Sequence, residues 1–384
     1  MAVLEFCHRA ELLPTVTGNS TFSNEPSQFA TTITQMRSQL RIAGTGVGGW
    51  SVTPRSAFWF HMCHSGRNDN DVEFFASFLG NGVELFRLAT TAGGDWQVQY
   101  HNDSTWVQVG SNITSPTQAT AKQIDIEFNI ADTGGVYEVY ADGVSVASLG
   151  GGDTLFRGET QIDEIRLANT TNSSVSDSIF AEVLIADEDT TKFKCSETIV
   201  DSDGFYTGWT NGDFTAINET IDQSDTSNLL QVDVADTRAS FNMEDEPVEF
   251  DTNHDVITVL QYIRGRHSSI RSGGIAPFVR ISSTNYDQTD IDFVENDWPF
   301  ILQQYDNDPS TSLPWANAAA VEAAEFGFIS RGAPVGELEV GQMGLVTVYK
   351  RPPLEIAQMG IITIYKRPPI EIAHMGTVTV YKLP

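Results

Sequence analysis

The stretch that decides the fold is QIDIEFNI at residues 123–130, which is followed by the turn ADTGG and the run VYEVYADG. Ile124, Ile126 and Phe128 alternate with Asp125 and Glu127. On a β-strand this alternation places the apolar side chains on one face and the carboxylates on the other. The glycine-containing turn and the second alternating run predict a β-hairpin with one solvated face.

The same pattern recurs over about residues 25–190, where short alternating runs are separated by turn residues. Helical periodicity is nearly absent from this part of the sequence. Further strands are predicted at residues 58–61, 72–79, 84–89, 96–100, 162–168 and 178–186. Short strands separated by turns at this spacing predict an antiparallel β-sandwich.

Seven segments of this region carry a resemblance, in the order FWFHM, VELFRLAT, GDWQVQY, IDIEFNI, GGVYEVYADGVSV, IDEIRLAN and SIFAEVLIADEDT. They resemble the concanavalin A-like (laminin G-like) jelly-roll domains of tailed-bacteriophage virion proteins. The resemblance implies a lectin-like domain over residues 1–190, with an N-terminal arm. It further implies a non-enzymatic tail- or fibre-associated protein that attaches to host-surface polysaccharide. A capsid or tail decoration protein without receptor binding is the alternative.

The pattern restarts after residue 190. The runs LLQVDV, RASFNM, VITVLQYIRGRH and APFVRISS predict a second antiparallel β-sandwich over residues 191–336. Near its end, Pro314, an alanine-rich body and Gly327 predict one short helix near residues 314–325. GWTNGDFTAINE and PWANAAAVEAAEFGF resemble a domain that follows the lectin-like unit in phage tail and fibre proteins, which implies assembly more than chemistry.

Residues 337–384 repeat one sixteen-residue unit as LEVGQMGLVTVYKRPP, LEIAQMGIITIYKRPP and IEIAHMGTVTVYKLP. Each unit favours a strand with apolar residues on both faces, so it must pack on another surface. We expect these units to join copies of the chain into a homotrimer or another homo-oligomer. The expected interface residues are Met343, Leu345, Tyr349, Met359, Ile361, Tyr365, Met375 and Tyr381.

The proline pairs limit how the units can be arranged. Parallel pairing of consecutive copies needs a crossover of a dozen or more residues, which the Arg-Pro-Pro joint does not provide. We favour copies that each follow an equivalent groove on a partner over an antiparallel zigzag. A β-meander that finishes the second domain is the alternative. The units resemble the strand-proline repeats, of the form VxQxGVxVLY, that end many phage tail-associated proteins.

One strand raises the question of catalysis. Glycoside hydrolases of the β-glucanase type share the concanavalin A-like fold and carry E-x-D-x-E on a strand whose alternating carboxylates lie beside the sugar. Here the position of the nucleophile holds Gln123, followed by Asp125 and Glu127. An amide cannot make that attack, so we expect an outward polar face and no catalytic residue. A concanavalin A-fold glycoside hydrolase is the further alternative.

Metal sites are not indicated. His61 and Cys63 would share a strand face and His64 would point the other way, with no second cluster to complete four zinc ligands. Cys7, Cys63 and Cys195 lack CxxC spacing, so no disulfide framework is predicted. Ca²⁺ is the one candidate cofactor, because acidic clusters at 69–71, 187–189 and 201–203 offer oxygen ligands, although none follows the EF-hand pattern.

Four tryptophans beside glycine or polar turn residues are candidates for glycan contact, because an aromatic ring packs on the apolar face of a pyranose. They are Trp50, Trp96, Trp106 and Trp209. Packing in the core or at a subunit interface is the alternative for each.

Charge and length limit the remaining functions. The net charge of −29, from 51 acidic and 22 basic residues, disfavours binding to nucleic acid or an anionic membrane. No stretch approaches the ~18 apolar residues of a membrane span, and the N-terminus does not resemble a signal peptide. We therefore expect assembly in the host cytoplasm, location in the virion, and other virion proteins as partners.

Overall fold

The computed structural model describes residues 3–7, 15–26, 34–66, 74–91, 94–114, 121–169, 177–210, 212–218, 229–250, 254–267, 273–293, 300–331, 338–351, 362–366 and 378–382. The described chain is nearly all β, and its large sheets are antiparallel, which confirms the predicted all-β sandwich class. The chain divides into two units, Met1–Arg351 and Pro352–Pro384.

The first sheet has thirteen strands. They are β1 (Val3–Cys7), β2 (Thr15–Pro26), β3 (Ser38–Arg55), β4 (Ala57–Gly66), β5 (Phe74–Gly80), β6 (Val83–Thr90), β7 (Trp96–His101), β8 (Trp106–Ile113), β9 (Lys122–Asn129), β10 (Gly135–Ala141), β11 (Val144–Gly152), β12 (Ile162–Asn169) and β13 (Asp177–Ala186). Hydrogen bonds join them in the order β11-β10-β9-β4-β13-β3-β12-β5-β6-β7-β8, with β1 also on β13 and β2 also on β3. Every strand predicted for this region is present, and the N-terminal arm adds β1 and β2.

This sheet curls until its two end strands, β8 and β11, pack against each other. The close approach needs a glycine, because a Cβ at Gly110 would lie 2.5 Å from the carbonyl oxygen of Val146. The curled sheet encloses an aromatic core. Phe128 of β9 lies at the centre, with its ring 4.9 Å from Phe58, 4.8 Å from Phe78 and 5.4 Å from Tyr137.

The second sheet has ten strands and lies in the same unit. They are β14 (Phe193–Thr207), β15 (Leu230–Val232), β16 (Arg238–Met243), β17 (Asp255–His267), β18 (Gly274–Ile281), β19 (Thr284–Asp287), β20 (Ile291–Asp292), β21 (Phe300–Tyr305), β22 (Glu325–Arg331) and β23 (Leu338–Lys350). Their order is β19-β18-β22-β16-β14-β23-β17-β21, with β15 on β23 and β20 on β18. The predicted helix is present as α1 (Ala318–Glu322), where the Asn317 side chain accepts a hydrogen bond from the Ala320 amide.

The first copy of the repeat is strand β23, and it lies inside the second sheet between β14 and β17. Met343, Leu345 and Tyr349 are fully buried in the core of this sheet, and the Tyr349 ring stacks on Phe250 at 4.3 Å. A side chain with no exposed surface cannot contact a second copy of the chain. These three residues are therefore core residues and do not form the expected interface. The chain divides after Arg351 and not at Gly336.

The second unit contains β24 (Ile362–Lys366) and β25 (Val378–Lys382), which pair in parallel. Tyr365 pairs with Tyr381, so consecutive copies align one repeat apart. The prediction that the copies could not pair in parallel is wrong. It counted only the Arg-Pro-Pro joint, whereas all of residues 367–377 connect the two strands, close to the length of about a dozen residues that a crossover needs. Met359, Ile361 and Met375 lie outside the described residues.

An apolar layer joins the first sheet to the second. Cys63, Ile179 and Leu184 from the first sheet cluster with Leu260 and Val346 from the second, and all five are buried. Among the described residues, none of the helices has the length and apolar character needed to cross a membrane.

Candidate functional site

Three neighbouring strands, β4, β9 and β10, build the face that carries the candidate site. The apolar residues of the predicted hairpin face the core, which confirms the predicted alternation. Their outer side chains form two rows across the strands. One row is Trp59, Glu127 and Glu138, and the next is His61, Asp125 and Tyr140.

The first row holds two carboxylates that face each other. Glu127 of β9 pairs directly with Glu138 of β10, and both side chains are half-buried. Ser145 Oγ donates a hydrogen bond to Glu138 Oε1 at 2.7 Å. Partial burial, together with the negative charges of Glu138 and Asp189, raises the pKa of Glu127. Glu127 therefore holds a proton to higher pH than an ordinary glutamate, which suits a general acid.

Two aromatic rings lie beside this carboxylate pair. The rings of Trp59 and Tyr140 are 5.7 Å apart at an angle of 31°, and both side chains are partly exposed. Burial and the charges of Glu138 and Glu127 raise the pKa of Tyr140 to about 12, so its hydroxyl keeps its proton. Aromatic faces next to an acid pair form a surface that can hold a sugar ring and carry out acid chemistry on it.

In the second row His61 and Asp125 are buried, whereas Tyr140 at its end is partly exposed. The buried part is organised around His61. The His61 Nδ1 atom lies 2.6 Å from Asp125 Oδ1, and the Nε2 atom lies 3.0 Å from Glu182 Oε2. Thr190 Oγ1 donates to Asp125 Oδ1 at 2.7 Å, and Gln123 Nε2 donates to Asp125 Oδ2 at 2.9 Å. Burial alone lowers the pKa of His61, but Asp125 and Glu182 together raise it to about 9. The imidazole is thus held as a cation between two carboxylates.

Glu182 reaches this cluster from an irregular point of β13. The register against β4 shifts between Ala181 and Leu184, and Glu182 has a left-handed backbone with φ of 56°. A bulge of this kind changes the direction of a side chain relative to the regular alternation. Ligand atoms of His61, Cys63 and Glu182 all lie within 4.8 Å of one another.

His64 lies on the opposite face of β4, as the alternation predicted. Its ring stacks on Phe75 at 4.3 Å and lies 4.6 Å from Phe180. Burial lowers the pKa of His64 to about 3, so this histidine is neutral. It belongs to the core and takes no part in the His61 cluster.

The expectation of an outward polar face on β9 is wrong for two of its three residues. Asp125 has no exposed surface, and Gln123 is buried with its amide bonded to Asp125 and to the carbonyl oxygen of Thr191 at 3.1 Å. Gln123 therefore orients Asp125 and does not occupy a substrate position. Of the three residues Gln123, Asp125 and Glu127, only Glu127 is partly exposed.

Three of the four tryptophans expected to contact glycan are core residues. Trp50, Trp96 and Trp209 are buried, and Trp209 Nε1 donates to the carbonyl oxygen of Thr237 at 3.0 Å. Each ring is enclosed by protein, so no sugar can pack on it. Trp106 is half-buried, and the guanidinium of Arg87 lies 4.0 Å from its ring centre.

Three residues of this face were not predicted from the sequence, namely Trp59, Glu138 and Tyr140. The signal was present, because Phe58 and Phe60 are core residues and Trp59 must then point outward. The same alternation in VYEVYADG places Glu138 and Tyr140 on the outer face. What the sequence does not show is the register, which sets Glu138 opposite Glu127.

The acidic clusters considered for Ca²⁺ make hydrogen bonds within the chain. Asp189 Oδ1 accepts from the Thr191 amide at 2.8 Å, and Asp203 Oδ1 accepts from the Phe214 amide at 2.9 Å. Glu188 forms an ion pair with Lys350. The cluster at 69–71 lies outside the described residues. None of the three cysteines forms a disulfide.

No protein-family model and no curated protein matches the sequence. Several solved structures are similar in part. The globular domain of T. cruzi calreticulin is 13% identical over 49% of this chain and 90% of its own, with a TM-score of 0.36. An alginate lyase is 15% identical over 39% of this chain and 80% of its own, with a TM-score of 0.31. A carbohydrate esterase from the Shiga toxin-encoding bacteriophage phi24B is 9% identical over 46% of this chain and 90% of its own, with a TM-score of 0.32.

These similarities correct one expectation. The sequence analysis predicted a protein without catalytic activity, whereas the similar structures include a lyase and an esterase that act on carbohydrates. The names of the lyase and the esterase state an activity on carbohydrate, and the name of the calreticulin domain states none. At these TM-scores the reactions of the similar proteins are not transferred to this chain, and its chemistry must be argued from its own residues.

Proposed function

We propose that the protein is a polysaccharide-cleaving glycoside hydrolase whose reacting groups are Glu127 and Glu138. The observation that carries the proposal is the direct pairing of these two half-buried glutamates across β9 and β10, beside the rings of Trp59 and Tyr140. Two carboxyl groups that flank one glycosidic bond are the minimum requirement of this chemistry.

The spacing of the pair favours retention of configuration. Directly opposed residues of antiparallel strands have Cβ atoms about 4.5–5.5 Å apart, so their carboxyl groups can reach the separation of about 5–5.5 Å that retaining glycosidases use. In this mechanism Glu127 gives its proton to the leaving-group oxygen while the Glu138 carboxylate attacks the anomeric carbon. Water, deprotonated by Glu127, then breaks the glycosyl ester and restores both groups.

The surroundings indicate the class of substrate. Trp59 and Tyr140 offer ring faces on which a pyranose can pack, next to the bond to be cleaved. The net charge of −29 and the acid pair itself would repel a polyanionic chain. The proposed substrate is therefore a neutral polysaccharide.

The experiment is to incubate the full-length protein with a panel of neutral and acidic polysaccharides and to measure released reducing ends. We expect release from a neutral member, and a loss of about 10²–10⁴-fold in kcat for Glu127→Gln and Glu138→Gln, which remove the acid and the nucleophile. Asp132→Asn is the matched control, because Asp132 is an exposed carboxylate in the turn of the same hairpin.

Two results would refute this proposal. One is the absence of reducing-end release from every polysaccharide tested with folded protein. The other is full activity in both glutamine variants. Trp59→Ala tests the aromatic contribution separately, and we expect it to raise KM more than it lowers kcat.

A finer proposal concerns the setting in which this activity operates. We propose that the protein belongs to a bacteriophage particle, where the carboxylate face would act on polysaccharide at the host surface and the repeats beyond Arg351 would join copies of the chain. The resemblance of the segments in chain order supports it. By light scattering, a chain ending at Arg351 should contain fewer copies per particle than the full chain. An unchanged number of copies would remove the assembly role of these repeats.

A further inference from the structure

The buried His61 cluster lies in the row next to the proposed hydrolase pair, and the proposed hydrolysis does not use it. We propose that His61, Cys63 and Glu182 form a site for a single transition-metal ion, with Zn²⁺ the best match, within the layer between the two sandwiches. The site is independent of the proposed hydrolase function.

The donor atoms of the three side chains lie close together. A nitrogen of His61, the sulfur of Cys63 and a carboxylate oxygen of Glu182 lie within 4.8 Å of one another, and all three side chains are buried. Protein ligands lie about 2.0–2.3 Å from Zn²⁺, so two ligands of the same ion are separated by less than about twice that distance. The three atoms already lie close to the positions that one ion would require.

One carboxylate oxygen in the cluster is buried without a hydrogen bond. Glu182 Oε1 is fully buried and has no hydrogen-bond partner among the residues that the structure describes. A buried carboxylate oxygen without a partner is costly, and such an atom needs an explanation such as an ion. The bulge in β13 brings Glu182 to this position although regular alternation would not. A coordinated cation would satisfy the oxygen.

The residues that hold His61 in place also match those of a metal site. Asp125 Oδ1 accepts from His61 Nδ1 at 2.6 Å, which leaves Nε2 to face Glu182. Thr190 and Gln123 each donate to Asp125 and fix its position. A histidine that ligates a metal usually donates its other nitrogen to a carboxylate in this way, and that carboxylate is itself held by hydrogen bonds.

The types of donor atom indicate which metal the site would bind. Nitrogen, thiolate sulfur and carboxylate oxygen together suit Zn²⁺ and related transition metals, whereas Ca²⁺ and Mg²⁺ prefer oxygen ligands alone. The sequence analysis considered the neighbouring trio His61, Cys63 and His64. His64 lies in the aromatic core, and the third ligand comes instead from Glu182, which is distant in sequence.

The experiment uses the full-length protein, dialysed against a chelator and then titrated with Co²⁺ and with Zn²⁺. We expect one equivalent of Co²⁺ to give a thiolate-to-cobalt charge-transfer band, which Zn²⁺ abolishes by displacement. Mass spectrometry of the eluted metal should then give one Zn²⁺ per chain. Cys63→Ser should remove the band, and Glu182→Gln should weaken binding by at least about tenfold, in line with the loss of one ligand.

Cys7→Ser is the matched control, because Cys7 is another buried thiol and lies outside the cluster. It should leave the band and the stoichiometry unchanged. If Cys63→Ser does not fold, the wild-type protein still decides the matter through its Co²⁺ spectrum and a rise in Tm on addition of Zn²⁺. Folded wild-type protein that gives no thiolate band would overturn the proposal and leave His61 as a metal-free cation between two carboxylates.

Discussion

Asp125 and Glu127 are two residues apart on one strand and point to the same side of the sheet, yet their surroundings are opposite. Asp125 is fully buried and faces the cation of His61, whereas Glu127 is half-buried and faces another carboxylate, Glu138. The segment after β13 covers one row, where Thr190 bonds to Asp125, and leaves the other row accessible. The contrast shows that burial and the residue on the neighbouring strand decide whether an acid is held in a buried ion pair or stays accessible beside another acid.

The largest expected effect is a loss of stability when the buried imidazole of His61 is removed. His61→Ala leaves Asp125 and Glu182 buried without their cation, and removing one partner of a buried ion pair costs about 3–5 kcal/mol. We expect the free energy of unfolding, measured with urea in the presence of a chelator, to fall by this amount. The chelator removes any contribution of a bound metal to the measurement.

The adjacent histidine provides the control. Neither ring nitrogen of His64 has a hydrogen-bond partner among the described residues, and the ring lies among Phe75, Trp96 and Phe180. His64→Phe should therefore leave stability unchanged or raise it by about 1 kcal/mol, since it replaces buried, unsatisfied nitrogens with apolar atoms. Equal destabilisation by both histidine substitutions would contradict the distinction between the two faces of β4.

The second prediction concerns pH. The pKa of His61 is about 9 in the folded protein, above its ordinary value of 6.5, because Asp125 and Glu182 favour the cation. A raised pKa means that the folded state binds the proton more tightly than the unfolded state does. The stability from His61 is therefore fully present below pH 6.5 and is lost as the pH rises through about 9.

Urea unfolding between pH 6 and 10 measures this loss. Cys63 lies near the same cluster and burial raises its pKa, so it also contributes to the pH dependence of stability. The decisive quantity is therefore the difference between wild type and His61→Ala at each pH. That difference should shrink as the pH rises. A difference that stays constant across the range would show that His61 is neutral in the folded protein.

A smaller effect is expected at Asp125. Asp125→Asn keeps the shape of the side chain but removes the charge that meets His61, and the loss of one charged hydrogen bond costs about 1.5–3 kcal/mol. The urea midpoint should fall without a change in the slope of the transition, because the surface exposed on unfolding is unchanged. An unchanged midpoint would mean that the charge of Asp125 contributes nothing to the stability of the folded state.

Local sequence patterns were enough to predict strands and their faces, because alternation is a local property. The strand 123–130, the short helix and the separate faces of His61 and His64 follow from neighbouring residues alone. The register between strands does not, so the pairing of Glu127 with Glu138 could not be predicted. The bulge that brings Glu182 to His61 is equally invisible in the sequence, since regular alternation would not place it there.

For the repeat too, the sequence predicted that the strand is buried but not which surface buries it. Three near-identical units suggested three identical roles, but the first unit is a central strand that pairs with β14 and β17. β15 also pairs with β23, so this strand has three pairing partners among the described strands. A strand with two apolar faces is what a central position between packed layers requires, so the pattern was informative about burial. It did not say which surface would bury the strand.

The smallest expected effect is a gain in stability, and it is expected on removal of the Glu127 charge in the first row. Glu127→Gln removes one of two like charges that face each other across β9 and β10, and such pairs change stability by about 0.2–1 kcal/mol. The variant should therefore be slightly more stable than wild type at neutral pH, whereas Asp125→Asn, two residues away, is less stable.

Because burial and Glu138 raise the pKa of Glu127, its ionisation opposes folding above that pKa. The gain should vanish in acid, where the carboxyl is protonated in both the folded and the unfolded state. Urea midpoints of the two variants at pH 7 and pH 4 test this directly, and a loss of stability in Glu127→Gln at pH 7 would place Glu127 among the structural acids with Asp125. A gain in stability that accompanies a loss of activity is the pattern expected of residues selected for chemistry at the expense of the fold.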